Sequence, residues 1–125
     1  MKPGHMHVTE DCRAVSDVLQ RIGDKWSILV VSRLGYGPMR FSELRTVIGG
    51  ISQKMLTTTL RILERDGFVT RTAFATIPPR VDYELTDLGR ELLVPVNALG
   101  DWARDNIVRI NAARARFDQA CKGHE

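Results

Sequence analysis

The chain is poor in several features that mark other classes of protein. It has no run of about 18 apolar residues, so no membrane-spanning helix and no membrane partner are expected. Its two cysteines, Cys12 and Cys121, are too few for a disulfide framework and suit a reducing compartment. Its three histidines, His5, His7 and His124, all lie near the ends, which leaves no Ser/His/Asp grouping. Gly35 and Gly37 lack the rest of a phosphate-loop pattern, and His5, His7 and Cys12 would need an unpatterned tail to fold before they held a metal. No enzyme, cofactor or metal is therefore expected. No apolar stretch follows Met1, so the expected location is cytoplasmic.

What is present is a chain of 125 residues, 43% hydrophobic and 26% charged, the length and balance of one globular domain. The net charge of +3 hides a segregation. Residues 1–32 carry four Lys/Arg and four Asp/Glu, and residues 81–125 carry six against eight. Between them, residues 33–80 carry eight (Arg33, Arg40, Arg45, Lys54, Arg61, Arg65, Arg71, Arg80) against three (Glu43, Glu64, Asp66). A basic middle between neutral and acidic flanks is the footprint of a polyanion-binding surface.

Apolar spacing predicts the elements. Residues 1–11 read as a flexible tail, and Val15, Val18, Leu19 and Ile22 mark a first helix ending at Gly23. Asp24 caps a second helix with Trp26, Leu29, Val30 and Leu34 on one stripe, widened by Ile28 and Val31. Gly35-Tyr36-Gly37-Pro38 breaks it. A short third helix carries Phe41, Leu44, Val47 and Ile48 and ends at Gly49-Gly50. Ser52 caps a fourth helix running to Asp66, with Gly67 as the left-handed residue beyond its end. Val81, Tyr83 and Leu85 alternate with Asp82 and Glu84 as a strand, residues 69–75 are its partner, and Thr76-Ile77-Pro78-Pro79 form the tip of the hairpin. Thr86 caps a final helix over 87–118, bent at Pro95, and 119–125 read as a second tail. The fold class is mainly α with a small β-hairpin: a winged helix-turn-helix over 12–118, with an extra helix at each end.

The fourth helix carries the chemistry. Met55, Leu56, Thr59, Leu60, Ile62 and Leu63 form its inward set. Lys54, Thr57, Thr58, Arg61 and Arg65 recur as one outward stripe, joined by Ser52 and Gln53 at the amino-terminal end. Apart from Glu64, that side holds only donors, amides and hydroxyls. Gln suits adenine, Arg or Lys suits guanine, and a Thr methyl packs on the thymine methyl, so the stripe fits a DNA major groove. An ordinary amphipathic helix with a solvated polar face is the competing reading, but such faces mix Glu with Lys at i, i+4 spacing. The hairpin tip is flanked by Arg71 and Arg80, placed to follow the backbone or enter a minor groove. Arg71 has a second reading as a partner of Glu84.

The segments Gly23–Leu29, Gly37–Leu44, Gly50–Thr57, Leu60–Val69 and Pro79–Thr86 resemble the HxlR-type winged-helix transcriptional regulators, in family order and spacing over roughly residues 12–104. The resemblance implies a homodimeric regulator of double-stranded DNA. It implies that Arg40 holds a phosphate, that Ser52, Gln53, Lys54, Thr57, Thr58 and Arg61 belong to the recognition helix (52–66), and that Pro78-Pro79-Arg80 belongs to the wing (69–85). It makes Trp26, Phe41 and Tyr83 core residues. It also implies a cysteine just before the first helix, where Cys12 stands, either as a sensor of oxidants or electrophiles or as an inert structural thiol.

The last helix is too long and apolar for one domain to bury. Val96, Leu99, Trp102, Ala103, Ile107 and Ile110, joined by Val15, Val18 and Leu19 of the first helix, are the expected dimer interface. The function read from the sequence is a sequence-specific duplex-DNA-binding regulator acting on an inverted repeat. A small-molecule effector, or an oxidant acting on Cys12, is left open. The alternative is a winged-helix module that binds protein and not DNA.

Overall fold

A computed structural model of the chain describes residues 10–123. The elements follow in the order α1 (Glu10–Ile22), α2 (Lys25–Leu34), β1 (Met39–Arg40), α3 (Phe41–Ile48), α4 (Gln53–Arg65), β2 (Val69–Phe74), β3 (Arg80–Leu85) and α5 (Asp87–Gly123). The chain divides into two units, one ending at Leu93 and one beginning at Val94.

In the first unit, α2 starts where its cap is strongest. The Asp24 carboxylate accepts from the N–H of Trp26 at 3.1 Å and of Ser27 at 3.4 Å. Val30, Val31 and Leu34 are buried, whereas Trp26, Ile28 and Leu29 are only half-buried and Ser27, outside the expected stripe, is buried too. The core of the unit is the set Val30, Leu44, Leu56, Leu60, Leu63 and Val69, none more than 2% exposed. Each such side chain stabilises the fold by about 1.5–3 kcal/mol relative to an exposed one.

The hairpin has a third strand beside it. β1 pairs with β3 (Met39 opposite Tyr83, Arg40 opposite Asp82), giving an antiparallel sheet in the order β1–β3–β2. The hairpin expected from the sequence is present, and β1 is an addition to it: two residues are too few to show a period of two. Between β2 and β3 the register runs from Val69 opposite Leu85 to Phe74 opposite Arg80.

A knot of hydrogen bonds at the foot of the hairpin joins α4 to α5. Gly67 follows α4 at φ +87°, the left-handed conformation expected of it. The Thr86 hydroxyl donates to the Gly67 carbonyl at 2.5 Å and accepts from the Gly89 N–H at 3.1 Å. The Thr86 N–H donates to the Phe68 carbonyl at 3.0 Å. On the other side of α4, Arg21 of α1 reaches Asp66 at 3.2 Å and Asp17 at 3.2 Å.

The second unit is helical throughout its described length. α5 continues to Gly123, past the expected end at 118, because Gln119, Ala120 and Lys122 are strong helix formers although they carry no apolar stripe. Pro95 lies within this helix. At the other end of the chain Glu10 and Asp11 belong to α1, not to the tail, and residues 1–9 lie outside the described residues. Among the described residues, no helix is long and apolar enough to cross a membrane.

Candidate nucleic-acid interface

The geometry of α4 follows from its first residue. Ser52 is extended (φ −74°, ψ 156°), and its hydroxyl accepts from the Met55 N–H at 3.0 Å. The N–H groups of Gln53 and Lys54 are left pointing along the helix axis for water or a phosphate. Leu56, Thr59, Leu60 and Leu63 turn inward and are buried. Gln53, Lys54, Thr58, Arg61, Arg65 and Glu64 are exposed, and Thr57 is half-buried. Met55 departs from the inward set assigned to it: it is 42% exposed.

Two of the stripe's hydroxyls are already engaged. Thr57 donates to the Gln53 carbonyl at 2.8 Å and Thr58 to the Lys54 carbonyl at 3.0 Å. Their protons are turned back into the helix, so what they offer outward is lone pairs and methyl groups.

Three hollows meet at Phe41, two of them lined in part by this helix. One of about 560 Å³ lies between α4 and the hairpin and brings Gln53, Thr57 and Arg61 together with Arg71. A second brings Arg40 and Ser42 to the hairpin tip with Thr76, Pro78 and Arg80. A third joins Arg45 and Thr46 of α3 to Gln53. Arg45 was counted among the bases of the middle segment but assigned no role; its signal was its place one turn after Phe41. Among the described residues, Arg40, Arg45, Lys54, Arg61, Arg65 and Arg71 form no ion pair, whereas Arg21, Arg80, Arg90 and Arg104 do. Every cation along the outward side of α4 is among the unpaired ones.

Arg40 stands at the start of α3, where its own N–H donates to the Glu43 carboxylate at 3.0 Å and its side chain is exposed. The wing residues separate. Residues directly opposite across antiparallel strands share a face, and alternate residues change face. Arg71, opposite Tyr83, lies on the sheet face that borders α4. Arg80, opposite Phe74, lies on the other face with Asp82 and Thr72. Its guanidinium sits 4.4 Å from the centre of the Phe74 ring, with its Nε 3.3 Å from the Asp82 carboxylate. Asp82 and Phe74 were missed in the sequence, where only the period-two alternation of β3 pointed to them. Glu84, the alternative partner for Arg71, is taken by Arg90 at 3.3 Å.

Of the residues expected at a dimer interface, Val15, Val18 and Leu19 of α1 and Leu99, Trp102, Ala103 and Ile107 of α5 are exposed, and Ile110 is half-buried. Val96 departs from the set: it is 8% exposed within a single chain and has little surface left to offer. Cys12 is half-buried in the first turn of α1, and Cys121 is exposed near the end of α5. His5, His7 and His124 fall outside the described residues.

Comparison with known proteins places this chain in a family. The model of the HxlR-like helix-turn-helix matches residues 21–111. YtfH of Escherichia coli K12, an uncharacterized HTH-type transcriptional regulator, is 40% identical over 114 residues, covering 91% of this chain and 89% of YtfH. A solved structure of a YtfH from Salmonella typhimurium superposes with a TM-score of 0.77 at 40% identity, over 81% of this chain and 90% of that one. The redox regulator HypR in its oxidized form superposes at 0.70 and 39% identity, over 74% of this chain and 96% of HypR. With the fold, the order of its motifs and the family match in agreement, the chain belongs to the HxlR-like helix-turn-helix family of transcriptional regulators.

Proposed function

We propose that the protein regulates transcription in the cytoplasm by binding duplex DNA as a twofold homodimer, with α4 in the major groove and the hairpin as the wing. The observation that carries this reading is the outward side of α4: Gln53, Lys54, Thr58, Arg61 and Arg65 are exposed with Glu64 as the one acid beside them, and they adjoin further unpaired arginines at Arg45 and Arg71. Gln53 and Arg61 are the base readers in this reading, Arg40 and Lys54 the phosphate holders. Exposed apolar residues on α1 and α5, led by Trp102, supply the dimer contact. A twofold dimer sets two recognition helices about 34 Å apart along the duplex and so reads an inverted repeat. The reading assigns no catalytic role to any residue.

A second strand of the reading concerns Cys12. Its place in the first turn of α1, half-buried, together with 39% identity to a redox regulator, supports a response to oxidants through this thiol.

The test is a fluorescence anisotropy titration, with reductant and at physiological salt, of the DNA upstream of the protein's own gene against a random duplex of equal length. The expected result is saturable preference for the upstream fragment, lost in Arg61→Ala at a cost of about 1–3 kcal/mol, while Arg40→Ala weakens both fragments alike. Repeating the titration after oxidation, with Cys12→Ser as control, tests the thiol. Binding to neither fragment at low salt would overturn the DNA reading and favour a protein-binding module.

A further inference from the structure

Asp82 has no part in the reading above, and its position is unusual for an acid on this surface. It lies two residues from Arg80 on the same face of β3, directly opposite Arg40 on one side and Thr72 on the other. Its Oδ1 is 3.3 Å from the Arg80 Nε. Both atoms are sealed from solvent, and neither is aligned for a hydrogen bond with any group. The Arg80 guanidinium also lies 4.4 Å from the centre of the Phe74 ring, contributed by the residue opposite it in β2.

Two sides of the guanidinium are thus fixed, one by a ring and one by a carboxylate. Its side chain keeps 36% exposure, and the edge turned away from the Nε is the one that bears the two Nη groups. Each of those groups carries donors in a plane suited to phosphate oxygens. The other cations of this surface have no acid within ion-pair reach, and a carboxylate near a polyanion repels it. Asp82 is therefore the exception on a surface otherwise cleared of such pairs.

Resting on the DNA-binding reading, we propose that Asp82 is a positioning residue: it holds the Nε edge of Arg80 inward against Phe74 and so presents the Nη edge to the DNA backbone at the wing. A freely rotating arginine loses rotamer entropy when it binds phosphate, and one already held flat loses less.

The experiment uses the full chain and a random-sequence duplex of about 30 base pairs, long enough for two half-sites a turn apart, titrated over a series of salt concentrations. Asp82→Asn keeps the size of the side chain and removes its charge. The expected result is a loss of affinity of about 3- to 10-fold, matched by a fall of about 0.9 in the slope of log affinity against log salt, the signature of one lost phosphate contact. Adding Asp82→Asn to Arg80→Ala should change little further, since both act through one guanidinium. Asp82→Glu should restore part of the affinity. Phe74→Leu, which removes the ring and leaves the carboxylate, should lower the slope in the same direction. Thermal melts of each variant report the fold separately.

Tighter binding by Asp82→Asn with a steeper slope would overturn the proposal and make the acid a simple repulsive charge. Weaker binding with an unchanged slope, or full additivity with Arg80→Ala, would overturn it in favour of a role in the sheet alone. Absence of any salt-dependent binding by the wild-type protein would overturn the DNA reading itself, and this assignment with it.

Discussion

Up to Leu93 the chain buries Val30, Leu44 and Leu56 completely, whereas the helix from Val94 leaves Leu99, Ile107 and Trp102 about half exposed (Trp102 at 57%). The two regions use apolar residues for different ends. In the first, helices and sheet are short and cross one another, so each covers its neighbours, and the hydrophobic free energy is realised within one chain. In the second, a single long helix has no element of its own to lie against, and its stripe remains available. Stability is therefore concentrated in the unit that carries the proposed DNA surface, and the exposed apolar stripe lies in the other.

Four substitutions test that contrast, in falling order of expected effect on unfolding. Leu56→Ala removes a fully buried side chain of α4 and should cost about 2–5 kcal/mol by denaturant titration. Gly89→Ala should cost about 1–3 kcal/mol, because a Cβ there would stand 2.2 Å from the Phe68 carbonyl oxygen and force α5 off the foot of the hairpin. Asp24→Ala removes the cap of α2, at about 1 kcal/mol in the same titration. Trp102→Ala should change unfolding of the dilute protein by less than about 0.5 kcal/mol, yet shift sedimentation from dimer towards monomer. A Trp102→Ala loss as large as that of Leu56→Ala would break the contrast, since the two regions would then share one cooperative core. An unchanged sedimentation profile would remove Trp102 from the proposed interface.

Much of the first unit was legible in the sequence because its signals are local. Asp24, Ser52, Gly67 and Thr86 stand at element ends and do there what their side chains or backbones favour. The outward stripe of α4 was legible for the same reason: positions three and four apart meet on one face whatever lies elsewhere. What was not legible depends on contacts distant in sequence. β1 exists only because β3 arrives beside Met39 and Arg40. Arg71 and Arg80 flank the same tip, but which face each takes depends on a register set by the loop between the strands, and that register puts them on opposite sides. The exposure of Met55 and the burial of Ser27 and Val96 likewise follow from what stands next to each, not from periodicity.

The knot at Gly67, Phe68 and Thr86 has a mechanical consequence. Both strands of the hairpin leave from it, and β1 braces β3 at Tyr83 and Asp82, so the hairpin is clamped at its root and held again halfway along. Only the pairs Val81–Ala73 and Arg80–Phe74 stand beyond the brace, an overhang of about 7 Å at about 3.3 Å per residue. A tilt of about 10° at the brace therefore moves the last strand pair through only about 1 Å. The tip of the hairpin is thus nearly fixed in position against the end of α3 and α4, whatever it docks on.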